Sequence, residues 1–323
     1  MRNIRSDILE WAENGRIKSE RMDSALTVSA ALPDAPAWRH FIEQMLLWIG
    51  VTLIASGVIF FLAYNWRALD RFVKFALVEG VIVGAVGLSW FYGLERPAGK
   101  AALLAASLIS GALMALFGQT YQTGADPWEL FANWALLILP WVLVARLPAL
   151  WIIWLSLLNL AIVLYHQAFL GIFGLATSER SLLWSLFGLN SIALVVWEGC
   201  ALKGVSWLRS RWAARLIATA SGIAASTIAL YSVFDAREMG PAALPAYLLW
   251  MGVAFWFYQF RMLDLYVLAA GILSLIVFIA AFLGRHLLSN GGASGFLFIG
   301  LVVIGLSAGG AMWLKKVATE ANA

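Results

Sequence analysis

After residue 43 the chain is a succession of long apolar runs separated by short polar breaks. They cover approximately 45–64, 73–93, 101–118, 128–146 and 149–166, then 181–198, 212–233, 246–260, 264–283 and 295–314. The eighth is short. A helix of about 20 apolar residues crosses a hydrocarbon core of about 30 Å. Lipid offers no hydrogen-bond partners, so a spanning segment satisfies its own backbone as a helix or joins a closed barrel. The runs are continuous and lack the period-two alternation of barrel strands. The expected fold is therefore all-α: a polytopic membrane protein of about ten transmembrane helices, lying in a lipid bilayer.

The first 43 residues read differently. Ile4, Ile8, Leu9 and Trp11 gather on a short helix that Asn14-Gly15 ends. A second helix starts around Ser19–Asp23 with Met22, Leu26 and Val28 on its stripe, and Leu32–Pro36 breaks it. Trp38–Gln44 then lead into the first span. This cytoplasmic hairpin suits docking or self-association, and equally an amphipathic element lying on the inner leaflet. The segment is charged rather than an apolar signal core, so the first span is expected to serve as its own uncleaved signal. The organisation expected is residues 1–43 as hairpin and lead-in, 44–166 as a five-helix half with a polar outer loop, and 167–323 as a second five-helix half with a short cytoplasmic tail. Five crossings followed by five suit an inverted repeat, although the halves show no residue-level match. Phe169–Ala176 is too short to span and reads as a re-entrant piece or a loop.

Composition agrees with the pattern: 62% of residues are hydrophobic, 12% are charged, and mean hydropathy is +0.84. Cations set the orientation. With the N-terminus cytoplasmic, outer segments hold Arg67, Arg71, Lys74, Arg180, Arg237 and Arg285, and the other 16 of the 22 Lys and Arg lie inside. An even number of spans returns the C-terminus to the cytoplasm. These juxtamembrane cations face anionic headgroups, so the pI of about 9.3 calls for no nucleic-acid partner. Trp48, Trp66, Trp90, Trp128, Trp207, Trp212 and Trp313 fall near span ends as interfacial anchors.

Charged and amide groups inside the spans are the pointers to function, because they are costly unless used or paired. Glu79 lies about two turns into the second span, beside Gly80, Gly84 and Gly87, where Gly80-x-x-x-Gly84 is a close-packing pattern. It reads either as a cation, proton or amine site or as a neutral acid bonded to a neighbouring helix. The outer loop Phe117–Leu130 holds no Lys or Arg but is rich in hydrogen-bonding side chains. Asp126, Pro127 and Glu129 read as N-cap, N1 and N3 of the next helix, a structural cap. Gln119, Tyr121, Gln122 and Thr123 have no such explanation. With Glu79, Asn65 and Arg67 they form a candidate outward-facing vestibule or substrate-binding set. In the second half, Asp264 is expected to pair with Arg261, Glu198 to be solvated at a helix end, and Gly305-x-x-x-Gly309 to pack against a neighbour.

No Ser-His-Asp order, Gly-rich phosphate loop or metal-ligand spacing appears, and His40, His166 and His286 are scattered. Catalytic residues, metals and cofactors are therefore not expected. The single cysteine, Cys200, excludes an intrachain disulfide.

The stretches FGQTYQTGADPWELFANWALLILPW and GVTLIASGVIFFLAYNW, with the helical prelude, resemble a family of bacterial predicted inner-membrane proteins of unknown function. The likeness covers roughly residues 4–165 and implies a multi-pass protein of the bacterial inner (plasma) membrane. It implies no activity. Two functions stay open: a transporter or permeation pathway for a small molecule or lipid-linked group, and a non-catalytic subunit or scaffold that docks envelope proteins or itself.

Overall fold

The computed structural model describes residues 4–29, 35–65, 67–122, 124–169, 179–235, 239–287 and 292–321. The chain is 88% helical, and among the described residues there are 12 α-helices and no strand. They are α1 (Ile4–Glu13), α2 (Met22–Val28), α3 (Ala35–Tyr64), α4 (Arg71–Tyr92), α5 (Pro97–Tyr121) and α6 (Pro127–Ala145). Then follow α7 (Pro148–Phe169), α8 (Glu179–Leu202), α9 (Arg211–Phe234), α10 (Ala243–Phe260), α11 (Leu265–Leu287) and α12 (Gly292–Glu320). Among the described residues nine helices, α3 to α9, α11 and α12, are long and apolar enough to cross a membrane. The eighth expected span is α10, whose 18 residues include Tyr247, Trp250, Trp256, Tyr258 and Gln259. Those side chains dilute its apolar character at an already short length. The all-α, polytopic membrane fold is as the apolar pattern requires.

The N-terminal hairpin forms as expected. Gly15 adopts φ 68° after α1, and the Arg16 N–H donates to the Trp11 carbonyl at 2.8 Å. The lead-in Trp38–Gln44 is already helical, continuous with the first span in the 30-residue α3. The break expected at Leu32–Pro36 falls largely on residues 30–34, outside those described, as does most of Phe169–Ala176.

Two compact units divide the chain, residues 1–121 and 122–321. In the first, α3 and α4 both pack on α5. The contact face of α5 is rich in small residues, including Ala101, Ala105, Ala106, Ser107, Ser110 and Gly111, all buried. Small side chains let helix backbones approach closely where lipid supplies no hydrophobic drive. Ser107 and Ser110 turn their hydroxyls back onto the Leu103 and Ala106 carbonyls at 2.9 and 2.8 Å, so no polar group is stranded. A Cβ at Gly99 would collide with the Gly93 carbonyl oxygen, which keeps the α4–α5 turn tight. The Gly80, Gly84 and Gly87 strip does not serve this packing. A Cβ built on any of the three meets nothing within 4 Å, because α4 turns Val78, Ala85 and Ser89 inward instead.

In the second unit α6 pairs with α7 and α8 with α9, and α10 and α11 both lie against α9. α12 packs on α11, though its contact glycine is Gly310 rather than Gly305 or Gly309. A Cβ on Gly310 would stand 2.7 Å from Ile272 Cγ2, whereas the other two face open space. Polar side chains stitch these helices together. Asn159 on α7 and Asn190 on α8 exchange amide hydrogen bonds at 3.2 and 2.6 Å. Ser191 on α8 meets Ser221 on α9 at 2.7 Å. Ser274 on α11 joins Ser226 on α9 at 2.7 Å and Tyr247 on α10 at 2.8 Å.

The amide exchange gives a stability prediction. Asn190→Ala should orphan the Asn159 amide and cost about 1 kcal/mol. Replacing both asparagines with Leu should recover most of that loss, since no unmet polar group remains. Detergent-denaturation curves of the three proteins would check it.

Candidate functional site

The main concentration of paired charge in the second unit lies where α8 ends, α9 begins and α10 turns into α11. Glu198 sits one turn before the end of α8 and Arg211 opens α9. Each is at the wrong end of its helix for the backbone dipole, which favours anions at N-termini and cations at C-termini. Their mutual pairing accounts for both. Arg211 Nη1 donates to the two carboxylate oxygens of Glu198 at 3.0 Å each, and its Nε donates to Asp264 Oδ2 at 3.0 Å. Arg215, one turn further along α9, donates from Nε to both oxygens of Asp264 at 3.1 Å. Asp264 also caps α11, accepting from the Tyr266 N–H at 3.1 Å. The Tyr258 hydroxyl donates to Glu198 Oε1 at 2.9 Å.

The carboxylates are almost sealed: side-chain exposure is 5% for Glu198 and 1% for Asp264, against 25% for Arg211 and 44% for Arg215. Two anions and two cations cancel. Burial opposes ionisation of Asp264, but the hydrogen bonds and charges of Arg215 and Arg211 outweigh it and hold its carboxyl below the usual range. Arg211 and Arg215 also lie over the Tyr258 and Tyr266 rings, each 5.7 Å from the centroid. Further along α9, Thr219 meets the Tyr266 hydroxyl at 3.1 Å. Arg211, Arg215, Thr219 and Ser226 thus form one polar stripe of α9, answered on α11 and its cap by Asp264, Tyr266 and Ser274.

This network corrects two expectations. Glu198 is buried rather than solvated. Asp264 pairs across the bundle with Arg211 and Arg215, not with Arg261, whose guanidinium lies 5.8 Å from the centre of the Trp256 ring. The local pairing assumed a helix through 261–264, but those residues form a turn, which aims Asp264 inward. The sequence signal for the cluster was the Arg211-x-x-x-Arg215 spacing at a helix start, a repeat of cations where the dipole disfavours them.

The vestibule candidates of the first unit lie at one end of it, around the α3–α4 turn and the last turn of α5. The Asn65 amide donates to the Phe61 carbonyl at 2.9 Å, closing α3. Arg67 and Gln119 are exposed. The Tyr121 ring lies 4.8 Å from Phe117 and 6.0 Å from Phe75 of α4. Glu79, one turn beyond Phe75, is on the exposed face of α4 that also carries Gly80, Gly84 and Gly87. Gln122, exposed and at φ 45°, belongs to the second unit, and Thr123 lies outside the described residues. Asp126 occupies the N-cap position of α6 with Pro127 at N1. Its carboxylate makes no cap hydrogen bond; the Glu129 N–H donates to the Asp126 main-chain carbonyl instead, at 3.0 Å. His166 is buried with Nδ1 at 2.8 Å from the Ile162 carbonyl. No group of three or more candidate metal ligands occurs among the described residues.

Breaking the charge network should be costly. Asp264→Asn leaves Arg211 and Arg215 short of an anion and should destabilise the protein by roughly 2–4 kcal/mol. Arg39→Gln, which breaks an exposed pair with Glu43, should cost no more than about 0.5 kcal/mol. Because the folded-state carboxyl of Asp264 is held low, its contribution is complete at neutral pH. It is lost only as pH falls through and below the ordinary carboxylate range. Unfolding midpoints measured from pH 8 down to pH 3 should stay level and then drop, and the drop should flatten in Asp264→Asn.

No curated protein and no solved structure matches this chain. A family model does, over residues 9–151, a stretch that holds Glu79 and the Gln119–Asp126 loop and ends before Glu198, Arg211 and Asp264. That stretch matches the model of a family described as predicted membrane protein (DUF2157), whose function is unknown.

Proposed function

We propose that this protein is a non-catalytic membrane subunit that docks a partner membrane protein through the α4 face bearing Glu79. The observation that carries this reading is a contrast between two sets of polar groups. The buried carboxylates of the second unit are consumed by their own arginines. Glu79 is exposed, and a Cβ on Gly80, Gly84 or Gly87 beside it meets nothing within 4 Å among the described residues. A carboxyl on an exposed face of a spanning helix is costly in lipid unless a partner group meets it, and adjacent glycines admit a second backbone closely. A partner helix carrying a hydrogen-bond donor fits both features. Glu79→Leu or Gly84→Leu should reduce association measured by cross-linking in native membranes, while Glu79→Gln should largely retain it. Full association in Glu79→Leu would remove the proposal.

A second reading rests on the gathering of Asn65, Arg67, Gln119 and Tyr121 at one end of the first unit, with Glu79 two turns into α4. These groups would line an outward vestibule for a small-molecule or lipid-linked substrate. pH-linked uptake or efflux abolished by Glu79→Gln, with association intact, would favour that reading over docking.

The orientation proposed for either reading is a bacterial inner membrane with both termini cytoplasmic. The cations Arg146, Lys203, Arg209, Arg261, Lys315 and Lys316 near one set of helix ends support it. A reporter fused after Ala323 should be active only in the cytoplasm, and one inserted at Gly124 only outside. A cytoplasmic Gly124 would overturn both the orientation and the vestibule.

A further inference from the structure

The second unit holds an apolar groove of about 440 Å³ between α7, α8 and the 3-10 turn Ser206–Arg209. Four indoles wall it. Trp151 stacks on Trp207 with centroids 6.2 Å apart, and Trp154 and Trp197 stand edge-on to Trp151 and Trp207 respectively. Local chain geometry fixes this wall. Gly204 at φ 92° ends α8 with paired bonds, Gly204 N–H to the Ala201 carbonyl at 3.1 Å and Val205 N–H to the Cys200 carbonyl at 3.3 Å. That ending folds Val205, Trp207 and Leu208 back against the helix they leave, and Trp197 Nε1 secures the turn by donating to the Leu208 carbonyl at 3.2 Å. Trp154 Nε1 is likewise bound, to the Ala135 carbonyl at 3.1 Å. Trp151 Nε1 has no acceptor among the described residues.

The charge beside this groove is one-sided. Lys203 and Arg209 bracket the turn that forms its wall, and Arg146 precedes α7 two residues before its first turn. All three are exposed and have no ion pair among the described residues. The neighbouring acids Glu198 and Asp264 are already neutralised by Arg211 and Arg215. Apolar walls at a helix end, interfacial indoles and uncompensated cations together fit one chemistry: an acyl chain joined to an anionic headgroup.

We infer that this groove is a binding site for an anionic phospholipid. The acyl chain lies among Trp151, Trp154, Trp197 and Trp207, and the phosphate faces Lys203, Arg209 and Arg146. The site belongs to the second unit and does not depend on the docking role of Glu79.

The test uses the full chain in neutral detergent, with phosphatidylglycerol or phosphatidylcholine added as brominated-chain lipids that quench nearby indoles. Phosphatidylglycerol should half-quench its share of the Trp emission at a concentration at least about tenfold lower than phosphatidylcholine does, since each nearby cation contributes up to about a factor of five in affinity and Lys203, Arg209 and Arg146 act together. The surface variant Lys203→Gln/Arg209→Gln should lose most of that preference while keeping the wild-type fold, and Arg39→Gln should keep it. Ala193→Trp, which fills the groove, should abolish the quenching of the preferred component. Equal quenching by the two lipids, or a phosphatidylglycerol preference untouched by Lys203→Gln/Arg209→Gln, would overturn the assignment. If Ala193→Trp fails to fold, the charge variant alone decides.

Discussion

The solvent governs this protein. A bilayer supplies no partner for a polar group, so each one inside it must be matched by the chain, by a neighbour or by lipid. The second unit meets much of that demand internally. Most of its helices are apolar enough to cross a membrane, and several of their polar side chains are spent on one another. Asn159 and Asn190 join α7 to α8, Ser191 and Ser221 join α8 to α9, and Ser226, Ser274 and Tyr247 tie α9, α11 and α10 together. Glu198, Arg211, Asp264 and Arg215 close the same seam at its charged end. Such contacts are individually modest, but each one also specifies which helix faces which, because a mispaired arrangement would strand a polar group in lipid.

The same rule sets the polar groups of the two units apart. Where the second unit cancels its charges, the first leaves Glu79 on an outer face of α4 beside glycines that hold nothing against them. The second unit's network is buried, closed and neutral, whereas Glu79 meets no ion-pair or hydrogen-bond partner among the described residues. Neither arrangement contains a group of three or more candidate metal ligands among the described residues.

The apolar pattern made the helices legible, because a spanning helix is encoded locally: length, hydropathy and flanking polar residues suffice. The hairpin turn at Gly15 and the start of α6 at Pro127 were legible for the same reason. What local rules missed was pairing across the bundle. Sequence proximity pairs Asp264 with Arg261, whereas its partners Arg211 and Arg215 lie about fifty residues away. The glycine patterns failed similarly. Spacing marks Gly305 and Gly309 as a packing pair, but the rotation of α12 on α11 presents Gly310. Sequence spacing tells which residues share a face; only the packed bundle tells what that face meets.

The account stands on the claim that the charges of the second unit hold its helices together rather than moving anything through them. A double-mutant cycle with Glu198→Gln and Arg211→Gln, read by reversible unfolding in mixed detergent, measures that directly. The account predicts a coupling energy of about 1.5–3 kcal/mol between the two positions. A coupling near zero, with both single variants as stable as the wild type, would contradict it and leave these charges free for another task.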